Sequence, residues 1–104
     1  MTEELHHRWT EKTKEWVHLD NDARRFEELR KSVFSEIVNR MEGKSIAERE
    51  HKAHATGQYM GHIKQMVQAR TLANVAKAEA DGMKLQWETW RTINATRRKE
   101  MGML

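Results

Sequence analysis

The chain has 104 residues, of which 19 are Lys or Arg and 16 are Asp or Glu, and it contains no Cys and no Pro. A chain of this length is expected to form at most one domain. The absence of Cys excludes disulfides, thiol nucleophiles and cysteine-based zinc sites. Ten of the 39 apolar residues are Ala, so few large side chains are left for a core, which favours an elongated or self-associating protein over a compact globule. No apolar run is long enough to span a membrane, and we expect a cytoplasmic protein without membrane contact.

Charge is divided unevenly along the chain. Residues 1–42 carry 8 basic and 10 acidic side chains, whereas residues 43–104 carry 11 basic and 6 acidic ones. The two halves are therefore electrostatically complementary. This asymmetry favours either salt bridges between the halves or a polyanion bound to the second half.

The first segment predicts a long helix over about residues 2–42. The absence of Pro and the many Glu, Lys, Arg, Ala, Gln and Met residues favour helix along the whole chain. Apolar residues follow one 3/4 spacing that is interrupted at Lys12 and Arg30. They are Leu5, Trp9, Trp16, Leu19, Ala23, Phe26, Val33 and Ile37. The sequence Asp20-Asn21-Asp22 is able to cap a second helix, so one helix or two are open alternatives, and we favour one.

The next stretch predicts the bend of a hairpin. Gly43 follows the last periodic residue, as a glycine after a helix commonly does. Ser45-Ile46-Ala47-Glu48 has the pattern of a capping box and predicts a short helix over about residues 46–55. Gly57 and Gly61 then permit a turn or a close approach of two helices.

The third segment predicts a long helix over about residues 58–101 with the most regular seam in the chain. Its middle is made of Ala, which permits close helix packing, and two Trp lie near its end. The seam consists of Tyr59, His62, Met66, Ala69, Ala73, Ala76, Ala80, Met83, Trp87, Trp90, Asn94, Arg97 and Met101. The sequence therefore predicts an all-α fold in one domain, residues 1–104: an elongated antiparallel helical hairpin, similar to a coiled coil, with a short connecting helix.

The two seams also predict a register for the hairpin. If the first segment folds back with Met41 near His62, paired residues have numbers that sum to about 103. Three contacts follow: Trp16 with Trp87, Trp9 with Asn94, and Phe26 with Ala76–Ala80. Because large apolar residues are scarce for two long seams, we also expect a homo-oligomer.

Two sequence motifs carry a resemblance to known proteins. They are Lys44-Ser45-x-Ala47-x-x-Glu50-x-x-Ala53, followed by Tyr59, and Trp87-Glu88-x-Trp90-Arg91-Thr92-x-x-Ala95-Thr96-x-Arg98-x-Glu100-Met101. Over about residues 44–101 the chain resembles short helical proteins of tailed bacteriophages whose genes often lie near phage recombination functions. Most of these proteins have no assigned activity, so the resemblance implies a setting, phage DNA metabolism in the host bacterial cytoplasm. In architecture the chain is also similar to the oligomeric helical mediators of large phages that load a recombinase on single strands.

Basic residues recur every seven positions in the third segment and form the candidate nucleic-acid site. They are Arg70, Lys77, Lys84, Arg91 and Arg98, with Lys64 near the same line. On a helix this places a charge every ~10.5 Å, a spacing that is able to follow a phosphate backbone. The alternative is pairing with acids of the first segment, where Glu4 and Glu11, or Glu15 and Asp22, also repeat by seven. Exposed ion pairs contribute only about 0.2–1 kcal/mol, so a polyanion is able to compete for the same residues.

The aromatic residues and histidines allow two further interpretations. Trp87 and Trp90, beside Arg91, Arg97 and Arg98, are able to stack on unpaired bases, but their spacing also fits packing in the seam or in an oligomer interface. His51 and His54 lack a third ligand at a metal-motif spacing, so we assign no metal and no cofactor. No motif of a catalytic site is present, and we expect no enzyme activity.

Together these features predict a non-enzymatic accessory protein of phage DNA metabolism. It is expected to act as a helical scaffold that contacts single-stranded DNA or a nucleic-acid-bound partner, such as a phage recombinase or a host protein. Two alternatives stay open at this point: a pure protein-binding module, for example an inhibitor of a host enzyme, and a structural component of the virion.

Overall fold

The computed structural model describes residues 2–103 and contains three helices there: α1 (Thr2–Arg40), α2 (Ile46–His54) and α3 (Gly57–Met103). No strand occurs among these residues. The molecule measures 86 × 20 × 15 Å, because α1 and α3 lie side by side in antiparallel directions and α2 fills the bend. The predicted all-α hairpin with a short connecting helix is confirmed.

The first helix is continuous, and it does not break at Asp20-Asn21-Asp22. Neither carboxylate caps a new helix, because both bind Arg side chains. Asp20 forms a salt bridge with Arg24 (3.0 Å) and accepts a hydrogen bond from Arg70 (2.7 Å), and Asp22 lies 3.9 Å from Arg25. The alternative of one helix over this segment is therefore the observed one.

The bend begins with the predicted N-cap. The Ser45 hydroxyl accepts a hydrogen bond from the Glu48 backbone N–H at 3.1 Å, which satisfies one free donor at the start of α2. The Glu48 carboxylate accepts from the Lys44 backbone N–H at 3.0 Å, and this hydrogen bond lowers the pKa of Glu48. Lys52 then ties α2 to the end of α1 by donating to the Glu42 carbonyl at 2.8 Å. The predicted capping box therefore forms, with the carboxylate one residue further back than usual.

The core of the hairpin is a thin seam of small residues. Its buried residues are Ala23, Ile37, Ala53, Ala73, Ala76 and Ala80, and Ile37 is the largest fully buried side chain. Lys12 is half-buried where it interrupts the seam of α1, and its ammonium group binds Glu79 across the hairpin at 2.8 Å and Glu15 at 2.9 Å. These two carboxylates raise the pKa of Lys12, so the charge is retained inside an otherwise apolar seam.

The register differs from the predicted one by about one heptad. Trp9, and not Trp16, lies against Trp87, with ring centroids 5.6 Å apart. Phe26 lies beside His62, with ring centroids 5.8 Å apart, and the His62 Nε2 donates to the Phe26 carbonyl at 2.9 Å. The predicted contacts of Trp16 with Trp87, of Trp9 with Asn94 and of Phe26 with Ala76–Ala80 are therefore wrong.

The length of the bend explains this shift. The helix α3 begins at Gly57, with only Ala55 and Thr56 between it and α2, and the Thr56 hydroxyl caps it by accepting from the Tyr59 N–H at 3.2 Å. Gln58 consequently lies already beside Arg40, with Arg40 Nη1 3.5 Å from Gln58 Oε1. A register with Met41 near His62 needs a bend about one turn longer.

Candidate nucleic-acid interface

The five basic residues that repeat every seven positions lie along one flank of α3, beside the seam. We call this line the basic ridge: Arg70, Lys77, Lys84, Arg91 and Arg98. Arg70 is half-buried and the other four are exposed. Lys64 is exposed but stands off the ridge by roughly 100° around the helix, because Ile63 occupies the position seven residues before Arg70.

Arg70, the ridge member nearest the bend, is held by two carboxylates of α1. Its Nη2 and Nε donate to the two Glu27 carboxylate oxygens at 2.6 and 3.1 Å, and its Nη1 donates to Asp20 at 2.7 Å. These charge-assisted hydrogen bonds lower the pKa of both acids and raise the pKa of Arg70. Because three nitrogens of the Arg70 guanidinium already donate to Asp20 and Glu27, Arg70 supports the alternative in which basic residues of α3 pair with acids of α1 and do not contact phosphate.

The acids that bind Arg70 are not the pairs that the sequence suggested. Glu4 is exposed, and the other three of those acids bind basic residues of their own helix. Glu11 pairs with Lys14 at 3.3 Å, Glu15 with Lys12 at 2.9 Å, and Asp22 with Arg25 at 3.9 Å. Asp20 and Glu27 also lie seven residues apart, so the signal that could have found them is the same spacing. Only the register selects the correct pair.

The middle of the ridge is partly compensated. The Lys77 ammonium group lies 5.8 Å from the centroid of the Trp16 ring, a cation–π contact. Its charge also helps to lower the pKa of Asp20. Lys77 therefore keeps its exposed position but shares the acidic surroundings of Arg70.

We call the end of the hairpin opposite the bend the open end. Towards this end, the described acids of α1 do not pair with the basic ridge. The α1 line that carries Glu27 and Asp20 continues, at the same spacing, to Thr13 and His6, neither of which is an acid. Within residues 2–103, no carboxylate forms a salt bridge with the last three members of the ridge. These members are Lys84, Arg91 and Arg98.

The open end carries further positive charge on a length of α3 that α1 does not reach. Because Trp87 faces Trp9, the antiparallel geometry places Asn94 opposite Thr2 and leaves residues 95–103 without α1 beside them. Residues 95–103 contain three basic side chains and one acidic side chain. The local charge of this end is therefore positive.

One hollow lies between the last two ridge residues. It has a volume of about 460 Å³ and is lined by Glu88, Arg91, Thr92, Ala95 and Arg98. Two guanidinium groups at its rim are able to bind an anion of phosphate size, with Glu88 as the opposing charge. The hollow is open to solvent and needs no conformational change to be reached.

The Trp rings belong to the seam. Trp9, Trp16, Trp87 and Trp90 are each half-buried. Trp9 and the Arg91 guanidinium both lie against the Trp87 ring, the guanidinium carbon at 4.8 Å from the ring centroid. A base could stack on Trp87 only by displacing one of them, so this geometry favours packing over base stacking for Trp87.

His51 and His54, to which the sequence assigns no metal, lie in α2 at the bend. His54 packs on Phe34, with ring centroids 4.6 Å apart, and on Tyr59 at 5.2 Å, closing the bend with an aromatic cluster. No group of three or more His, Asp or Glu side chains within residues 2–103 is arranged to hold a metal ion.

Over the same described range, no helix has the length and apolar character needed to cross a bilayer.

Comparison with known proteins gives no match: no family model, no curated protein and no solved structure is similar to this chain at a significant level. The resemblance to short helical phage proteins therefore stays a prediction from the sequence motifs.

Proposed function

We propose that this chain is a non-enzymatic scaffold of phage DNA metabolism that contacts single-stranded nucleic acid through the open end of the hairpin. The observation that carries the proposal is the distribution of acids along the basic ridge. Arg70 is bound by two carboxylates, whereas Lys84, Arg91 and Arg98 have none from α1. The phage setting rests on the motif resemblance alone.

The electrostatics favour contact with a phosphate backbone at this end. Three cations spaced by ~10.5 Å are each able to meet a phosphate, and each contact releases counterions. For single strands the logarithm of affinity falls by about 0.7 per contact for each tenfold increase in salt, so three contacts give a slope near −2.1. Between about 50 and 200 mM salt the affinity should fall roughly 20-fold.

The experiment is a titration of a fluorescently labelled thymidine oligonucleotide, read by anisotropy across a salt series. Replacing Lys84, Arg91 or Arg98 singly by Gln should weaken binding and make the slope shallower by about 0.7. Two controls carry the same charge change: Lys31→Gln, an exposed residue of α1 towards the bend and far from the open end, and Arg70→Gln, whose guanidinium is already bound. Both should leave the slope unchanged.

Two results would count against the proposal. If no binding occurs at the lowest salt, the chain is better described as a protein-binding module, and the pairing of Arg70 with Asp20 and Glu27 favours that second function. If Lys31→Gln changes the slope as much as Arg91→Gln, binding is spread over the whole surface and the open end is not the site.

A further inference from the structure

The outer face of α3, on the side away from α1, carries a second line of residues with 3/4 spacing. All eleven of its members are exposed: Gly61, Lys64, Gln68, Thr71, Val75, Ala78, Gly82, Leu85, Thr89, Thr92 and Thr96. Only one of them is charged. The equivalent outer line of α1 contains five charged residues: Glu4, Glu11, Lys14, Arg25 and Glu28. Since a solvated helix face is normally rich in charge, the outer line of α3 has the composition of a contact surface.

The glycine in the middle of this line is not required by the hairpin itself. Glycine is among the least favourable residues in a helix interior. A Cβ built at Gly82 would meet no atom within 4 Å, so packing inside the hairpin does not explain its small size. Together with Ala78 one turn earlier, Gly82 leaves a flat site at which a second helix is able to approach closely.

The shape of the outer line is self-complementary around Ala78. Leu85 projects from it and is 64% exposed. A hollow of about 340 Å³ lies on the other side of Ala78 and is lined by Val67, Gln68, Thr71 and Leu72. Leu85 lies seven residues after Ala78 and Thr71 seven residues before it. A two-fold axis at Ala78 therefore places the Leu85 side chain of each copy in the hollow of the other.

The polar residues beside this line also fit a two-fold arrangement. Asn74 and Asp81 lie on the same edge of the face, four residues before and three after Ala78. In an antiparallel pair the Asn74 amide of one copy is opposite the Asp81 carboxylate of the other, and the amide is able to donate to it. In a two-fold parallel pair, this edge of one copy would meet the opposite edge of the other, so Asn74 and Asp81 would not be brought together.

The size of the face is sufficient for association. Residues 61–96 extend over about 52 Å, and a helix face is about 10 Å wide, so each copy would bury about 500 Å². The total of about 1,000 Å² reaches the lower limit for a specific interface. Within residues 3–102 the buried residues are five Ala and one Ile, so burial of this face would add substantially to the apolar area removed from water.

We propose that this face binds a second copy of the chain, with two α3 helices packed antiparallel about a two-fold axis near Ala78. The inference goes beyond nucleic-acid binding and does not depend on it. The basic ridge lies roughly 130° around α3 from this face. The hollow between Arg91 and Arg98 shares only Thr92 with the face, so the dimer leaves the ridge cations open.

Light scattering of the full chain tests the association. The mass should be twice the 12.4 kDa of one chain. Gly82→Lys places a long charged side chain at the closest approach and should give a monomer. It should not unfold the helix, since Lys is a better helix former than Gly, and circular dichroism checks this. Asn21→Lys adds the same charge on the outer side of α1 and should remain a dimer.

Cross-linking tests the orientation, because the chain has no cysteine of its own. Ala78→Cys places one thiol next to the two-fold axis, and a short thiol-reactive cross-linker should convert most of it to a covalent dimer. Thr96→Cys is the control, because the antiparallel arrangement separates its two thiols by about 54 Å and prevents cross-linking. A monomeric wild-type chain, a dimer that persists in Gly82→Lys, or cross-linking through Thr96→Cys instead of Ala78→Cys would each overturn the inference.

Discussion

The contact between Trp9 and Trp87 fixes the register of the hairpin, and a double-mutant cycle measures it directly. The two rings lie 5.6 Å apart with an interplanar angle of 30°. Truncating a fully buried Trp to Ala costs about 3–5 kcal/mol. Because both rings are half-buried, we expect each single substitution to lower the free energy of unfolding by about 2 kcal/mol.

The coupling between the two rings is the quantity that reports the register. Aromatic pairs at this separation contribute about 0.5–1.5 kcal/mol beyond the area that they bury, so the double variant should lose that much less than the sum of the single variants. Trp16 lies about 10.5 Å further along α1 and contacts Lys77. The cycle of Trp16 with Trp87 should therefore be additive to within about 0.5 kcal/mol.

Urea unfolding followed by far-ultraviolet circular dichroism gives these free energies. All variants must be measured at one protein concentration, since any association contributes to the measured stability. Coupling between Trp16 and Trp87, together with additivity between Trp9 and Trp87, would refute the register described above and restore the one predicted from the two seams.

Two further predictions concern the ion pairs of α1 and the cap of α2. Arg70 lowers the pKa of Asp20 and Glu27 from ordinary values of 3.8 and 4.5, so their contribution is present above those values and is lost as the pH falls through the lowered pKa of the folded state. In a pH series below 4.5, stability should therefore fall more steeply for the wild type than for Arg70→Gln, and equal slopes would contradict this. Ser45→Ala should lower the free energy of unfolding by about 1 kcal/mol through loss of the N-cap. The matched substitution Ser32→Ala, on the exposed side of α1, should cause no loss.

The three helices could be predicted from the sequence because residues at their ends carry local capping and turn signals. Gly43 and the Ser45 cap lie between the end of α1 and the start of α2, and the two seams predicted the inner face of each long helix, although the seam of α1 is interrupted. The register of α1 against α3 could not be predicted in this way. Two seams with a seven-residue period can slide by seven residues and keep their apolar contacts, particularly where the seam is Ala. The length of the bend and the pairing of Arg70 decide between these positions, and neither can be read from periodicity.

The positions of the candidate site on α3 could be predicted from the sequence, but their partners on α1 could not. The seven-residue spacing identified the basic ridge, since it depends only on helix geometry. The state of each member depends on which α1 residue faces it, and that depends on the register. Three acid pairs of α1 have the same spacing, but only Asp20 and Glu27 face Arg70. The difference between the bound and the free end of the ridge therefore became visible only in the folded hairpin.

The three faces of α3 have different chemistry, and this separates the two proposals physically. The inner seam packs on α1, the flank carries the ridge, and the outer face carries a single charged residue, Lys64. In an antiparallel dimer about Ala78, each Arg91 lies about 20 Å from the axis, so the two free ridge ends are about 40 Å apart at opposite ends of the particle. Each end is then a separate site that a monomer already contains. Loss of the dimer in Gly82→Lys should leave the salt dependence of each end intact, and loss of Arg91 should leave the dimer intact.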